Sequence, residues 1–397
     1  MGKIEKGHFV GFGLGPIQTG LFLYEAFRSG NFQSYTVAEV DDSLVESVNK
    51  NNGRCTINIA FRDSILTTDI ERIRMLNPGN EEDRQELISA IAGADEIATS
   101  LPSVAFYDRG GRFSVASCLA EGLGKRTLGH QTIIYTAENN NHASEVLRVE
   151  VEKFAGGSKL VNVQFLNTVI GKMSSIVEDP MVIERHGLKP LTPNSNKTVL
   201  VEAFNKILIS RNDLPGFVRR IDIFEEKADL MPFEEAKLYG HNAIHLLLGL
   251  LANERGCLTL ADAGLHADLM DIARRAFIDE AGAGLINKHL GIDELFTVSG
   301  FNVYTEDLLE RMTNPLLSDP VSRVIRDMKR KIGWEDRLIG SARLAIAAGI
   351  HPVNLFKGIQ LAEKHLLTEL LHEIWPSEVW LSGKAEQFVL PITNEYA

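Results

Sequence analysis

The chain has 397 residues, with 41 Lys and Arg against 53 Asp and Glu and a formal net charge of −12. That balance excludes the basic face a nucleic-acid partner needs, while a few local arginines can still hold an anionic small molecule. Hydrophobic residues at 44% and charged residues at 24% exclude collagen, coiled coil and disorder, and the length points to two domains rather than one core.

The N-terminus passes almost directly into a strand, without an apolar targeting segment. His8–Phe12 reads as a strand, Thr19–Arg28 as a helix, Tyr35–Val40 as a strand and Ser43–Asn51 as a helix. Further strands are expected around Glu96–Ser100, Thr132–Thr136 and Asn162–Val169, then a loop over His186–Asn196 and one more strand within Thr198–Ile209. From about Pro232 strands give way to amphipathic helical patterns: Phe233–Asn253, Leu258–Lys288, Thr305–Met312, Pro320–Lys331, Arg337–Ala348 and Asn354–His372. Asp319-Pro320 has the form of an N-cap acid followed by proline at the first helical position. The fold class is therefore α/β: a Rossmann-like dinucleotide-binding domain over 1–225, followed by a mostly α-helical domain over 226–397.

No run approaches the ~18 apolar residues of a membrane helix, so no membrane partner is expected. Leu246–Leu251, the most apolar stretch, reads as a buried helix. Cys55, Cys118 and Cys257 are odd in number and far apart, as in a reducing compartment, and no His/Cys cluster has metal-ligand spacing. A cytoplasmic, metal-free protein is the expectation.

The first strand runs into Gly13-Leu14-Gly15-Pro16-Ile17-Gln18-Thr19-Gly20. Glycines let a chain turn sharply from strand to helix and approach a pyrophosphate at the helix N-terminus. On its own such a turn also suits any α/β domain. Glu39 strengthens the dinucleotide reading, because it ends the second strand roughly 24 residues past Gly15, near the ~20 expected of an acid that binds a ribose diol. A carboxylate there would repel the extra phosphate of NADP, so NAD is the expected cofactor. Asp41 and Asp42 either add to that repulsion or simply cap and charge the next helix.

Lys237, Asn242 and His245 form a K-x4-N-x2-H pattern. On an α-helix, His245 falls about 80° and Asn242 about 140° from Lys237, so all three share one broad face. A desolvated lysine with a lowered pKa can take the hydroxyl proton of an alcohol as its carbon gives up hydride. Asn242 can polarise the nascent carbonyl and His245 can hold a hydroxyl. The same three residues can also merely cap neighbouring loops.

This segment resembles the catalytic motif of the polyol-specific long-chain dehydrogenases, the family of mannitol dehydrogenase and mannitol-1-phosphate 5-dehydrogenase. The resemblance runs through Phe12–Gly15, Val37–Val40, Ile134–Asn139, Asn314–Leu317 and Arg330–Ile339. It implies that Lys237 is the general base and that Asn242 and His245 bind substrate. Asn167, in Phe165–Val169, would add a second oxyanion donor, and Glu234 would assist proton transfer unless it is only an exposed first-turn acid. Implied cofactor contacts are Gly13, Gly15, Pro16, Ile17, Gln18, Glu39, Thr99, Leu101, Glu138 and Asn139. Lys331 and Arg337 are the implied grip on a substrate phosphate, with the other arginines of that region on a solvated face.

The chain departs from the family at Ile170-Gly171-Lys172, which lacks an acid, at Gln18 and Thr19, and at His241. No Tyr-x-x-x-Lys, G-x-S-x-G or phosphate-loop pattern competes. Expected, then, is an NAD-dependent dehydrogenase interconverting mannitol 1-phosphate and fructose 6-phosphate, with the compact length favouring the phosphate-specific branch. A free-hexitol dehydrogenase, a hexuronate reductase and an NAD-binding sensor without turnover are the alternatives. The partner is a small polyol or sugar phosphate, and the protein a monomer or homodimer.

Overall fold

The computed structural model describes residues 6–156, 160–364, 373–385 and 388. The chain divides into two compact units, Met1–Leu230 and Met231–Ala397.

Among the described residues, the first unit has twelve strands: β1 (Gly7–Phe12), β2 (Phe32–Ala38), β3 (Cys55–Ala60), β4 (Ile65–Ile70), β5 (Ile73–Leu76), β6 (Glu96–Thr99), β7 (Thr132–Thr136), β8 (Val163–Val169), β9 (Ser174–Val177), β10 (Thr198–Glu202), β11 (Leu208–Ser210) and β12 (Glu225–Lys227). The larger sheet has the order β12-β11-β8-β7-β6-β1-β2-β5. From β5 to β8 all pairs are parallel, and β11 runs antiparallel to β8. The chain winds outward from β1 in both directions, so a crevice opens beyond the C-terminal end of β1, where dinucleotides bind in such sheets. Side chains alternate between the two faces: Ile133 and Tyr135 belong to one apolar cluster and Ile134 to the other.

A second sheet, β4-β3-β10-β9, is absent from the sequence reading. Its strand β3 breaks the apolar pattern with Asn58, which is fully buried and gives its amide to the carbonyls of Lys189 and Val199. The strand expected within Thr198–Ile209 is in fact two, since β10 joins this sheet and β11 the larger one. Gly20 explains how the second sheet reaches the first helix, because a Cβ there would lie 2.4 Å from Val201 of β10. The expected helix Thr19–Arg28 begins as a π turn, Gln18–Leu23, and continues as an α-helix over Tyr24–Ser29. The segment read as the loop His186–Asn196 is preceded by a helix, Pro180–His186, capped by Asp179.

In the second unit the helix Ala243–Arg255 buries Ala243, Ile244 and Leu246 to Ala252 on every side, as a central helix does. The expected single helix Phe233–Asn253 is three segments: α over Met231–Glu235, π over Ala236–Asn242 and α from Ala243. Leu258–Lys288 likewise breaks into Leu260–Gly264, Ala267–Arg275, the π turn Ala276–Gly282 and Ala283–His289. Pro320–Lys331 is two short helices, Val321–Val324 and Met328–Lys331, parted by Asp327 at φ 58°. Asp319 does not cap the first of them, because its carboxylate is taken by His245 and Arg323. Further helices run over Val298–Met312, Arg337–Ala347, Val353–Glu363 and Ser377–Leu381, and the expected end at His372 of the helix starting near Asn354 lies outside the described residues.

Candidate functional site

At the end of β1, Gly13 adopts φ 82°, and a Cβ on it would meet the Ser100 carbonyl at 2.8 Å, so only glycine turns here. A Cβ on Gly15 would meet nothing within 4 Å, so this side of the turn faces open space. That space is a cavity of about 820 Å³, lined by Gly13, Leu14, Gly15, Pro16, Ile17, Glu39 and Leu101 among others. Its size is that of a small-molecule cofactor site. Glu39 holds the turn together: Leu14 N–H donates to Oε2 at 2.8 Å, and the Val40 and Asp41 amides donate to Oε1 at 2.7 and 3.1 Å. Three amides leave part of the carboxylate's acceptor capacity for a ribose diol. An open glycine cradle and an acid at the end of β2, in one cavity, fit a dinucleotide.

The other expected cofactor residues sit differently. Gln18 is fully buried, turned against Gly11 rather than into the cavity, and its amide has no hydrogen-bond partner among the described residues. Glu138 is buried and accepts from Thr99 Oγ1 and Leu101 N–H, both at 2.9 Å, and from Tyr107 Oη. Burial raises its pKa, and the three donors oppose the rise. Glu138 and Thr99 therefore brace Leu101 rather than line the cavity, and Asn139 is exposed outside it. The cavity also recruits Arg109, whose guanidinium lies 5.1 Å over the Phe106 ring, and Lys197, paired with Asp41 at 2.9 Å. No motif or spacing marks either one. Asp41 itself caps the helix Asp42–Lys50, and hydrogen bonds from Ser43 and Lys197 hold its carboxyl down at about 2.

Asn167 lies near the end of β8 with its amide engaged. Its Oδ1 accepts from Ser144 N–H at 2.9 Å, and Nδ2 donates to Glu145 at 2.9 Å. It thus caps the helix Ala143–Phe154, whose own N-cap residue, His142, supplies no side-chain bond.

In the second unit, Lys237 and Asn242 lie on one π segment. A π turn closes i→i+5 bonds, so residues five apart come closer to alignment than the about 140° of an α-helix. Ser341 Oγ donates to the Tyr239 carbonyl at 2.6 Å, supplying a partner inside the widened turn. Lys237 is partly exposed and makes no hydrogen bond or ion pair among the described residues. Lost hydration lowers its ammonium to about 8, with Glu234 opposing and Arg337 adding to the fall. Glu234 is buried, not an exposed first-turn acid.

One turn on, His241 is buried, and desolvation followed by the charges of His245, Arg311, Lys237 and Arg337 keeps it neutral. His245 Nε2 meets Asp319 Oδ2 at 2.9 Å, and Arg323 grips the same carboxylate at 2.7 Å through both Nε and Nη2. Sequence reasoning missed this role for Asp319, which lies 74 residues from His245. Of the two phosphate candidates, Lys331 is buried with Nζ given to the Val324 carbonyl at 2.6 Å. The Arg337 side chain is 12% exposed, and its Nε lies 3.4 Å from Asp336 Oδ1 without a hydrogen bond. Arg323 is committed to Asp319, whereas Arg326 and Arg330 are well exposed.

Comparison with known proteins adds a lineage to this geometry. Residues 229–366 match the mannitol dehydrogenase C-terminal domain. A mannitol-1-phosphate 5-dehydrogenase of Bacillus licheniformis is 30% identical over 354 residues, 88% of this chain and 86% of the relative. Among solved structures, a D-sorbitol dehydrogenase in substrate-free form aligns with TM-score 0.72 at 14% identity, covering 91% of this chain and 80% of that one. The Pseudomonas fluorescens mannitol 2-dehydrogenase ternary complex with NAD and D-mannitol aligns with TM-score 0.68 at 15% identity, covering 91% and 79%. At such identities the structural likeness is one of fold. Sequence identity over most of both chains carries the lineage, and by it this chain belongs to the polyol-specific long-chain dehydrogenases, the family of mannitol dehydrogenase and mannitol-1-phosphate 5-dehydrogenase.

Proposed function

We propose that this protein is a cytoplasmic, NAD-dependent polyol dehydrogenase that interconverts mannitol 1-phosphate and fructose 6-phosphate, with Lys237 as general base. The observation that carries the reading is a lysine lowered to about 8, on one π turn with Asn242 and in a chain of this family. Bound NAD would supply the hydride acceptor. Gly13, Gly15, Pro16, Ile17, Glu39 and Leu101 would hold it in the cavity they line. In polyol oxidation the neutral Lys237 amine takes the hydroxyl proton, and in ketose reduction its ammonium returns it. Asn242 donates to the oxygen on which charge develops, and His245 holds a neighbouring hydroxyl.

The phosphorylated substrate rests on the name borne by the relative from Bacillus licheniformis and on Arg337. A guanidinium with an uncommitted donor suits bidentate phosphate recognition, which an ammonium cannot match. Lys331, spent on a carbonyl, contributes charge rather than a contact.

The test is NADH oxidation with fructose 6-phosphate, fructose, fructuronate and tagaturonate. Fructose 6-phosphate is expected to exceed fructose in kcat/KM by at least roughly tenfold, ~1.4 kcal/mol. Arg337→Lys should shrink that advantage mainly through KM. A higher kcat/KM for fructose or a hexuronate overturns the phosphate reading, and no oxidation with any of the four overturns the dehydrogenase.

A further inference from the structure

Outside the array of Lys237 and Asn242, His245, Asp319 and Arg323 form a connected polar cluster in the second unit. Asp319 is 6% exposed. Its place is fixed by backbone before its side chain makes any contact: Leu260 N–H donates to its carbonyl at 3.0 Å, Val321 N–H donates to the Leu258 carbonyl at 3.0 Å, and Thr259 and Pro320 form a bridge. Burial alone would favour the protonated carboxyl, but hydrogen bonds from His245 and Arg323 outweigh it and hold the group at about 2. Asp319 is thus an acceptor without a proton to give. The nitrogen facing it at 2.9 Å must carry the hydrogen, so Nε2 of His245 is the protonated nitrogen. In a neutral imidazole the other nitrogen then holds a lone pair.

We propose that Asp319 is a positioning residue which, clamped by Arg323, fixes His245 as the Nε2–H tautomer and so presents Nδ1 as an acceptor for a substrate hydroxyl. Nδ1 has no partner among the described residues, and His245 keeps 16% of its side chain exposed. An acceptor cannot bond the carbonyl oxygen of a ketose. His245 therefore reads a hydroxyl beside the reacting carbon, leaving the carbonyl oxygen to donors such as Asn242. The assignment deepens the polyol reading above and rests on it, since it makes the site selective for substrates with a donor hydroxyl next to the carbonyl.

Two measurements test the assignment. The first is a long-range ¹⁵N–¹H histidine spectrum of the ligand-free enzyme, with His245 identified by its loss in His245→Gln. The Nε2–H pattern is expected, and an Nδ1–H pattern overturns the proposal. This readout needs no substrate, so it stands even if wild-type enzyme ignores fructose 6-phosphate, a result that would instead sink the substrate reading.

The second is a double-mutant cycle. Asp319→Asn, whose amide can meet either tautomer, should lower kcat/KM for fructose 6-phosphate by about 10–100-fold, as loss of an orienting partner typically does. The NADH dissociation constant, read from fluorescence, should stay the same. Adding Asp319→Asn to His245→Gln should cost little more than His245→Gln alone. Wild type should disfavour 1-deoxy- or 3-deoxyfructose 6-phosphate, and Asp319→Asn should disfavour it much less. Fully additive losses, or unchanged discrimination in Asp319→Asn, overturn the proposal. Should Asp319→Asn fail to fold, the wild-type spectrum still decides.

Discussion

Lys237 owes its lowered pKa to lost hydration, a local property that one substitution removes. Lys237→Ala should lower kcat by ~10²–10⁴ while NADH binding, measured by fluorescence titration, stays nearly intact. The sign of the pH dependence follows from which form works. Oxidation needs the neutral amine, so kcat/KM for the polyol should rise with pH and level off above about 8. Reduction needs the ammonium and should fall above the same point. Parallel profiles in the two directions would remove lysine from the role of base. The Glu39 carboxylate, proposed above to meet the adenosine ribose, also accepts from the amides of Leu14, Val40 and Asp41. Glu39→Ser should narrow the preference for NAD over NADP, in kcat/KM, by roughly tenfold. It should also weaken NADH binding, because the glycine turn loses its brace. An unchanged nucleotide ratio would clear Glu39 of any part in specificity.

The π segment Ala236–Asn242 is an element whose shape depends on its neighbours. Gly340 of the helix Arg337–Ala347 lets the Tyr239 ring lie so close that a Cβ would meet Cε1 at 2.3 Å. The next residue, Ser341, donates to the Tyr239 carbonyl. Gly340→Ala should therefore push Tyr239 and the widened turn that holds Lys237 and Asn242. Overpacking of this kind costs about 1–3 kcal/mol, measurable by denaturant unfolding. Because the displaced residue sits between Lys237 and Asn242, kcat should fall more than NADH affinity. A variant with wild-type kcat and reduced stability would show that the array tolerates movement of its own helix.

At the scale of the molecule, the chain divides into two compact units, Met1–Leu230 and Met231–Ala397. The cavity belongs wholly to Met1–Leu230, so a ligand that fills it should stabilise the transition in which that unit unfolds. NADH at 100 times its dissociation constant should add about 2.7 kcal/mol to that transition in calorimetry. NADPH at the same concentration should add less, because Glu39 opposes its extra phosphate. Equal shifts from the two nucleotides would count against the reading of the cavity's acid end. Among the described residues no helix is long and apolar enough to cross a membrane.

Features set by neighbours in sequence were legible from the residues alone. The strand–turn–helix at Gly13–Gly20, the acid at the end of β2, the all-helical second half and the Lys237, Asn242, His245 spacing each depend on local periodicity or on a glycine's backbone freedom. The features that escaped depend on distant partners. Asn58 sits in a strand because carbonyls of Lys189 and Val199 satisfy it, a contact that no local pattern announces. The stretch from Thr198 to Ile209 divides between two sheets because β3 and β8 each offer a free edge to part of it. Lys237 and Asn242 are closer to alignment than an α-helix allows because they lie on a π turn packed around Tyr239, whose extra residue no motif in the sequence marks. Gln18 lies within the glycine turn in sequence, yet its side chain turned inward, since Gly11 leaves room for an amide beneath it. Asp319 looked like a helix cap because a cap is a local device; a histidine and an arginine reached it first, and only the fold could bring His245 to its side.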